Sequence, residues 1–135
     1  MLTQTQINNY SLIEKRKPFS IRSRLKSFIY AFNGFKLLLR YEHNIRIHIG
    51  TSIIVVIAGI FMHLSKMEWM IIFILIGLVF ITEIINTSIE YLSDYVSPHF
   101  SKEIKNVKDL AAAAVLISAV FAIVIGSIIF LSKII

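Results

Sequence analysis

The chain has no cysteine among its 135 residues. That excludes disulfides, thiolate metal sites and haem attachment. It also lacks a glycine-rich phosphate loop: neither G-x-x-x-x-G-K-[ST] nor G-x-G-x-x-G occurs, and there is no kinase-type H-R-D. Any nucleotide site is therefore not of the soluble-kinase kind. Histidine clusters are missing as well. His43 and His48 are five residues apart, about 140° around a helix, so they do not form an H-E-x-x-H zinc site. His63 and His99 are isolated. Charge is sparse at 16% and absent from Trp69 to Phe80.

What is present is apolar. Hydrophobic residues make up 56% of the chain, too many for an ordinary soluble domain of this size, and they are clumped. Three runs, about 45–64, 69–89 and 110–131, approach or exceed the roughly 20 residues with which a helix crosses a bilayer core. A helix satisfies its own backbone, so each run can span alone. The first run starts more than forty residues in and has no small-residue cleavage site, which sets aside a secretory signal. The length allows one domain. We therefore expect an all-α integral membrane protein in which residues 1–18 form a polar cytoplasmic tail and 19–135 a single membrane domain.

The net charge of +6 would suggest nucleic acid in a soluble protein. Here its distribution argues for topology instead, and no nucleic-acid partner is expected. Twelve of the 14 Lys and Arg lie before or at the very start of the first span (Arg46) or between the second and third, and only Lys66 and Lys133 fall on the opposite side. The positive-inside rule then places the N-terminus in the cytoplasm and the C-terminus outside. Before the spans, Ile21, Leu25, Phe28, Phe32, Phe35 and Leu39 recur at three- and four-residue spacing among Arg22, Lys26, Lys36 and Arg40. This predicts an amphipathic helix over about 19–40, lying on the inner membrane surface or packed on a partner. Three crossings enclose little volume, which favours a homo-oligomer with sites between copies.

The second run ends in "ITEIINTSIEYLSD". On a helix, Glu83, Asn86, Glu90 and Asp94 fall within about 80° of arc. Counted from Trp69, Glu83 lies about 21 Å along the axis, still at hydrocarbon depth, and Glu90 about 31 Å along, at the cytoplasmic boundary. Acidic groups at that depth are costly and mark functional sites by default; a polar seam between helices is the plainer reading. Glu42, in "YEHNIRIH", is expected at the same boundary, either paired with Arg46 at i, i+4 or converging with Glu90. Two hard carboxylates without Cys or clustered His suit Mg²⁺ completed by substrate phosphates. Asn106 and Asp109 are expected to cap the third span. That would leave Lys108 at a helix N-terminus, where a bound phosphate would offset its unfavourable charge.

"EIINTSIEYLSD", with "KDLAAAAV" beginning eighteen residues after Glu90, resembles the small prokaryotic diacylglycerol kinase family, which includes undecaprenol kinases. The resemblance runs from about Arg24 to Leu131 and includes the Tyr30-to-Glu42 spacing. It implies a homotrimeric, three-span lipid kinase of the bacterial cytoplasmic (inner) membrane with an N-terminal surface helix, using ATP and Mg²⁺ on a membrane lipid, diacylglycerol or undecaprenol. By resemblance, Glu83 is the catalytic base, and Glu42 and Glu90 hold Mg²⁺ on ATP. Asn86 supports the site, Asp94, Lys108 and Asp109 contact nucleotide, and Tyr30 is an aromatic beside it. The family's surface-helix arginine falls at Ser23, flanked by Arg22 and Arg24, and Arg24 is carried forward as a nucleotide-contact candidate. A non-catalytic or ion-conducting membrane assembly using the acidic face is the rival expectation.

Overall fold

The structure is a computed structural model that describes residues 20–135; the tail expected over 1–18 lies outside the described residues. Among the described residues four helices follow one another: α1, Ile21–Tyr41; α2, His43–Phe61; α3, Lys66–Val96; and α4, Lys102–Leu131. The last three are long and apolar enough to cross a membrane. By chain contacts the protein divides into two compact units, Met1–Phe35 and Lys36–Ile135.

Within the first unit, α1 begins where the Ser20 hydroxyl accepts the Ser23 N–H at 3.4 Å. Phe28, Phe32 and Phe35 are exposed along it, with Arg22, Arg24 and Lys26 before them and Lys36 after, the composition of an interfacial helix.

In the second unit only Glu42 breaks the helical path between α1 and α2. Its backbone is extended, φ −100° and ψ 120°, and its N–H still donates to Leu38 O at 2.9 Å. The α2–α3 turn is shaped on both sides. Leu64 N–H donates to Gly59 O and His63 N–H to Ile60 O, with His63 at φ 51°; this is a Schellman stop built on a left-handed residue. Ser65 then caps α3: its hydroxyl accepts Glu68 N–H, and Glu68 Oε2 accepts Ser65 N–H at 2.6 Å, a capping box. A Cβ on Gly59 would lie 2.9 Å from both Leu64 Cδ1 and Trp69 Cη2, so glycine lets the turn close.

The connection between the second and third apolar runs is largely helical. Helix α3 continues to Val96 and α4 starts at Lys102. Ser101, not Asn106 or Asp109, caps α4: its hydroxyl accepts Ile104 N–H at 3.4 Å. The apolar runs mark the hydrocarbon, whereas helices stop where a capping serine ends them. Helix α3, with 31 residues, is about 46 Å long, so it outreaches a core of about 30 Å.

Helices α3 and α4 pack along their lengths, far more extensively than α2 and α3. Lipid is as apolar as leucine, so this association rests on close packing and interhelical hydrogen bonds. One such bond joins the Thr82 and Ser118 hydroxyls at 2.8 Å. The apolar core gathers at the turn end of the bundle, where Leu64, Ile72 and Ile129 are buried against Val55, Trp69 and Phe130.

Candidate active site

The buried face of α3 changes character along its length. Ile72, Leu75 and Val79 occupy it first, followed by Glu83, Asn86, Thr87 and Ser93. From Ile72 to Asn86 the spacing is three to four residues, and half-buried Glu90 carries it on toward Ser93, so one helical stripe passes from apolar to polar at Glu83.

Glu83 is 1% exposed, and with Ile45 (0%) it is one of the two largest fully buried side chains among the described residues. Among the described residues its Oε2 has no hydrogen-bond partner, and neither does Asn86 Oδ1. Leaving a buried polar atom unpaired costs about 1–3 kcal/mol, and more for a charged group. Such atoms are uncommon in native proteins and point to a strained, catalytic or ligand-binding role. One turn further along, Asn86 Nδ2 donates to Glu90 Oε1 at 3.0 Å, which orients one Glu90 oxygen.

Beyond Glu90 the stripe meets α4. Lys108 Nζ donates to Asp94 Oδ1 at 2.9 Å and lies within electrostatic reach of Glu90. Lys108 is six residues into α4, not at its N-terminus; acidic side chains from α3, rather than a helix end, set its surroundings. Asp109 points elsewhere and pairs with Lys105 one turn back on the same helix.

Glu42 occupies the N-cap position of α2 without capping it. Asp, Asn, Ser and Thr are the effective cap residues, and the longer Glu42 carboxylate makes no hydrogen bond or ion pair among the described residues. The expected pairing with Arg46 does not form. Arg46 instead donates from Nε to Leu39 O at 2.9 Å and from Nη2 to Arg40 O at 2.7 Å. Tyr30 and Arg24 lie on the part of α1 that belongs to the first unit, where Tyr30 is exposed.

No three His, Cys, Asp or Glu gather as a metal site among the described residues. Glu42 and Glu90 offer hard oxygen donors of the kind that bind Mg²⁺ when phosphate oxygens and water complete the shell. A groove of about 610 Å³, lined by Ile47, Val55, Leu75, Val79, Ala122 and Ile123 among others, opens along the spans. Its Val79 wall lies one helical turn from Glu83.

The sequence model of the prokaryotic diacylglycerol kinase family matches residues 29–130. The chain belongs to the prokaryotic diacylglycerol kinase family. It is an enzyme of the lipid-kinase class, which sets aside the non-catalytic expectation. An undecaprenol kinase of Bacillus subtilis (strain 168) is 42% identical over 108 residues, covering 80% of this chain and 88% of that protein. A diacylglycerol kinase of Synechocystis sp. (strain ATCC 27184 / PCC 6803 / Kazusa) is 34% identical over 103 residues, covering 76% of this chain and 59% of that protein. The family match includes Tyr30, Glu42, Glu83, Asn86, Glu90, Asp94, Lys108 and Asp109, whereas Arg24 precedes it.

Sequence reasoning missed three features. The Ser65-x-x-Glu68 capping box was legible from its spacing. The Thr82–Ser118 contact joins residues 36 apart, and no local pattern encodes it. The grip of Arg46 on the end of α1 has no sequence signature either.

Proposed function

We propose that the protein transfers the γ-phosphoryl group of ATP to the hydroxyl of a membrane lipid at the cytoplasmic boundary of the bacterial inner membrane. Its N-terminus is then cytoplasmic, its C-terminus outside, and its working form a homotrimer. The observation that carries this reading is Glu83: a wholly buried carboxylate with an unpaired oxygen, two helical turns from a cluster of Glu90, Asp94 and Lys108. A residue at that depth can reach a hydroxyl that never leaves the membrane.

In the reaction, Glu83 takes the proton of the lipid hydroxyl as general base. The lipid oxygen bonds to the γ-phosphorus, the bond to the β–γ bridging oxygen breaks, and ADP leaves. Phosphoryl transfer depends mainly on positioning and electrostatic stabilisation, so few residues suffice. Lys108 leaves its pairing with Asp94 to meet phosphate charge. Asn86 keeps Glu90 oriented. Glu42 and Glu90 would hold Mg²⁺, which supplies neutralisation of phosphate charge when bound. Asp94 and Asp109 contact the nucleotide. The nucleotide roles of Tyr30 and Arg24 rest on the family resemblance alone.

The higher identity and fuller coverage of the undecaprenol kinase favour a polyprenol acceptor, with diacylglycerol the alternative. The groove ending one turn from Glu83 suits the acceptor's hydrocarbon chain. The test uses purified protein in detergent with γ-labelled ATP, Mg²⁺ and both lipids in competition. Label is expected in polyprenyl phosphate ahead of phosphatidic acid. Absence of label from both lipids would contradict the kinase reading, and preferential label in phosphatidic acid would reverse the acceptor assignment.

A further inference from the structure

Arg46 is spent on backbone. It lies in the first turn of α2, yet its guanidinium turns back across the corner and donates to the carbonyls of Leu39 and Arg40 at 2.9 and 2.7 Å. Those are two of the last four carbonyls of α1, which have no partner within their own helix. A third, Leu38 O, accepts Glu42 N–H at 2.9 Å. The corner between α1 and α2 is thus closed by three hydrogen bonds around a single non-helical residue, Glu42.

Two consequences meet at Glu42. Its backbone is extended between the last turn of α1 and the first turn of α2, which the Arg46 fork joins. Its carboxylate makes no ion pair among the described residues, and Arg46, the cation one turn away that would ordinarily pair with it, is engaged elsewhere. A planar guanidinium can bridge two carbonyls in this way; a lysine ammonium, a compact point charge, does not reproduce the fork.

We propose that Arg46 is a positioning residue for the kinase reaction, acting through Glu42: it locks the α1–α2 corner and keeps the Glu42 carboxylate unpaired and available to the metal–nucleotide complex. This rests on the reading of Glu42 as a metal ligand. Groups that hold a metal ligand in place without touching the metal typically change metal affinity by about 10–100-fold when removed.

The test is a double-mutant cycle on the purified full-length protein in detergent. Binding of Mn²⁺·ADP is read by electron paramagnetic resonance, without lipid acceptor or turnover, and folding is checked by thermal unfolding and size exclusion. Arg46→Ala is expected to weaken binding roughly tenfold or more. Arg46→Lys keeps the charge but not the fork, so it should fall close to Arg46→Ala. In a Glu42→Gln background, Arg46→Ala should add no further loss. If Arg46→Lys binds like the unsubstituted protein, or if the losses from Arg46 and Glu42 simply add, Arg46 acts by charge or fold and the proposal is overturned. If Glu42→Gln weakens binding while Arg46→Ala does not, this inference alone fails. Unchanged binding in Glu42→Gln removes Glu42 from the ligand set and the inference with it.

Discussion

The two ends of the helical bundle are built on opposite principles. At the α2–α3 turn, polar groups have partners. The capping box closes α3, the Schellman bonds close α2, and Lys133 Nζ reaches Glu68 Oε2 at 2.9 Å to tie down the end of α4. Apolar side chains pack beneath. At the other end the same helices bury Glu83 and Asn86 with unpaired oxygens and hold Asp94, Lys108 and Glu42 at partly or fully exposed positions. The turn end holds the spans together, while the polar end buries oxygens without partners among the described residues, at some cost in stability.

Substitutions can break this contrast, and the largest effect belongs to the polar end. Glu83→Gln should lower lipid labelling from γ-labelled ATP by about 10²–10⁴-fold, the usual contribution of a general base. Lys108→Met should follow. It removes a charge-assisted contact of about 1.5–3 kcal/mol, so kcat/KM for ATP in a coupled ADP assay should fall roughly 10–100-fold.

The effects then cross to the turn end and change in kind. Gly59→Ala forces a methyl group against Leu64 and Trp69. Overpacking of this sort costs about 1–3 kcal/mol, so detergent unfolding should begin at lower temperature while kcat of the folded enzyme is retained. A fall in kcat without a loss of stability would mean that the two ends are not separable. The smallest effect is expected for Thr82→Val, which removes the hydroxyl pair with Ser118. Interhelical hydrogen bonds of this type average about 0.6 kcal/mol, so a modest loss of stability measured by unfolding should be the whole result.

How far the sequence revealed this contrast follows from the range of the interactions. Helical periodicity is local, so the shared face of Glu83, Asn86 and Glu90 was legible, as were the three apolar spans. Helix ends were less so. Composition locates the hydrocarbon, but Ser97 and Ser101 decide where α3 and α4 stop and start, some eight residues beyond the apolar run at the start of α4. That difference moved Lys108 from a helix terminus to an ion pair with Asp94. Contacts between distant residues stayed hidden, and the choice of Arg46 between a carboxylate and two carbonyls is decided only by the shape of the α1–α2 corner.

The central claim is that Glu83 is held unpaired for chemistry and not for the fold. The most direct test measures lipid labelling and thermal unfolding on one preparation of Glu83→Gln. A neutral amide of the same shape removes the burial of a chargeable oxygen, so labelling should collapse while the unfolding midpoint stays equal to or above that of the unsubstituted protein. A midpoint that falls together with activity, or labelling that persists near its original level, would contradict the account.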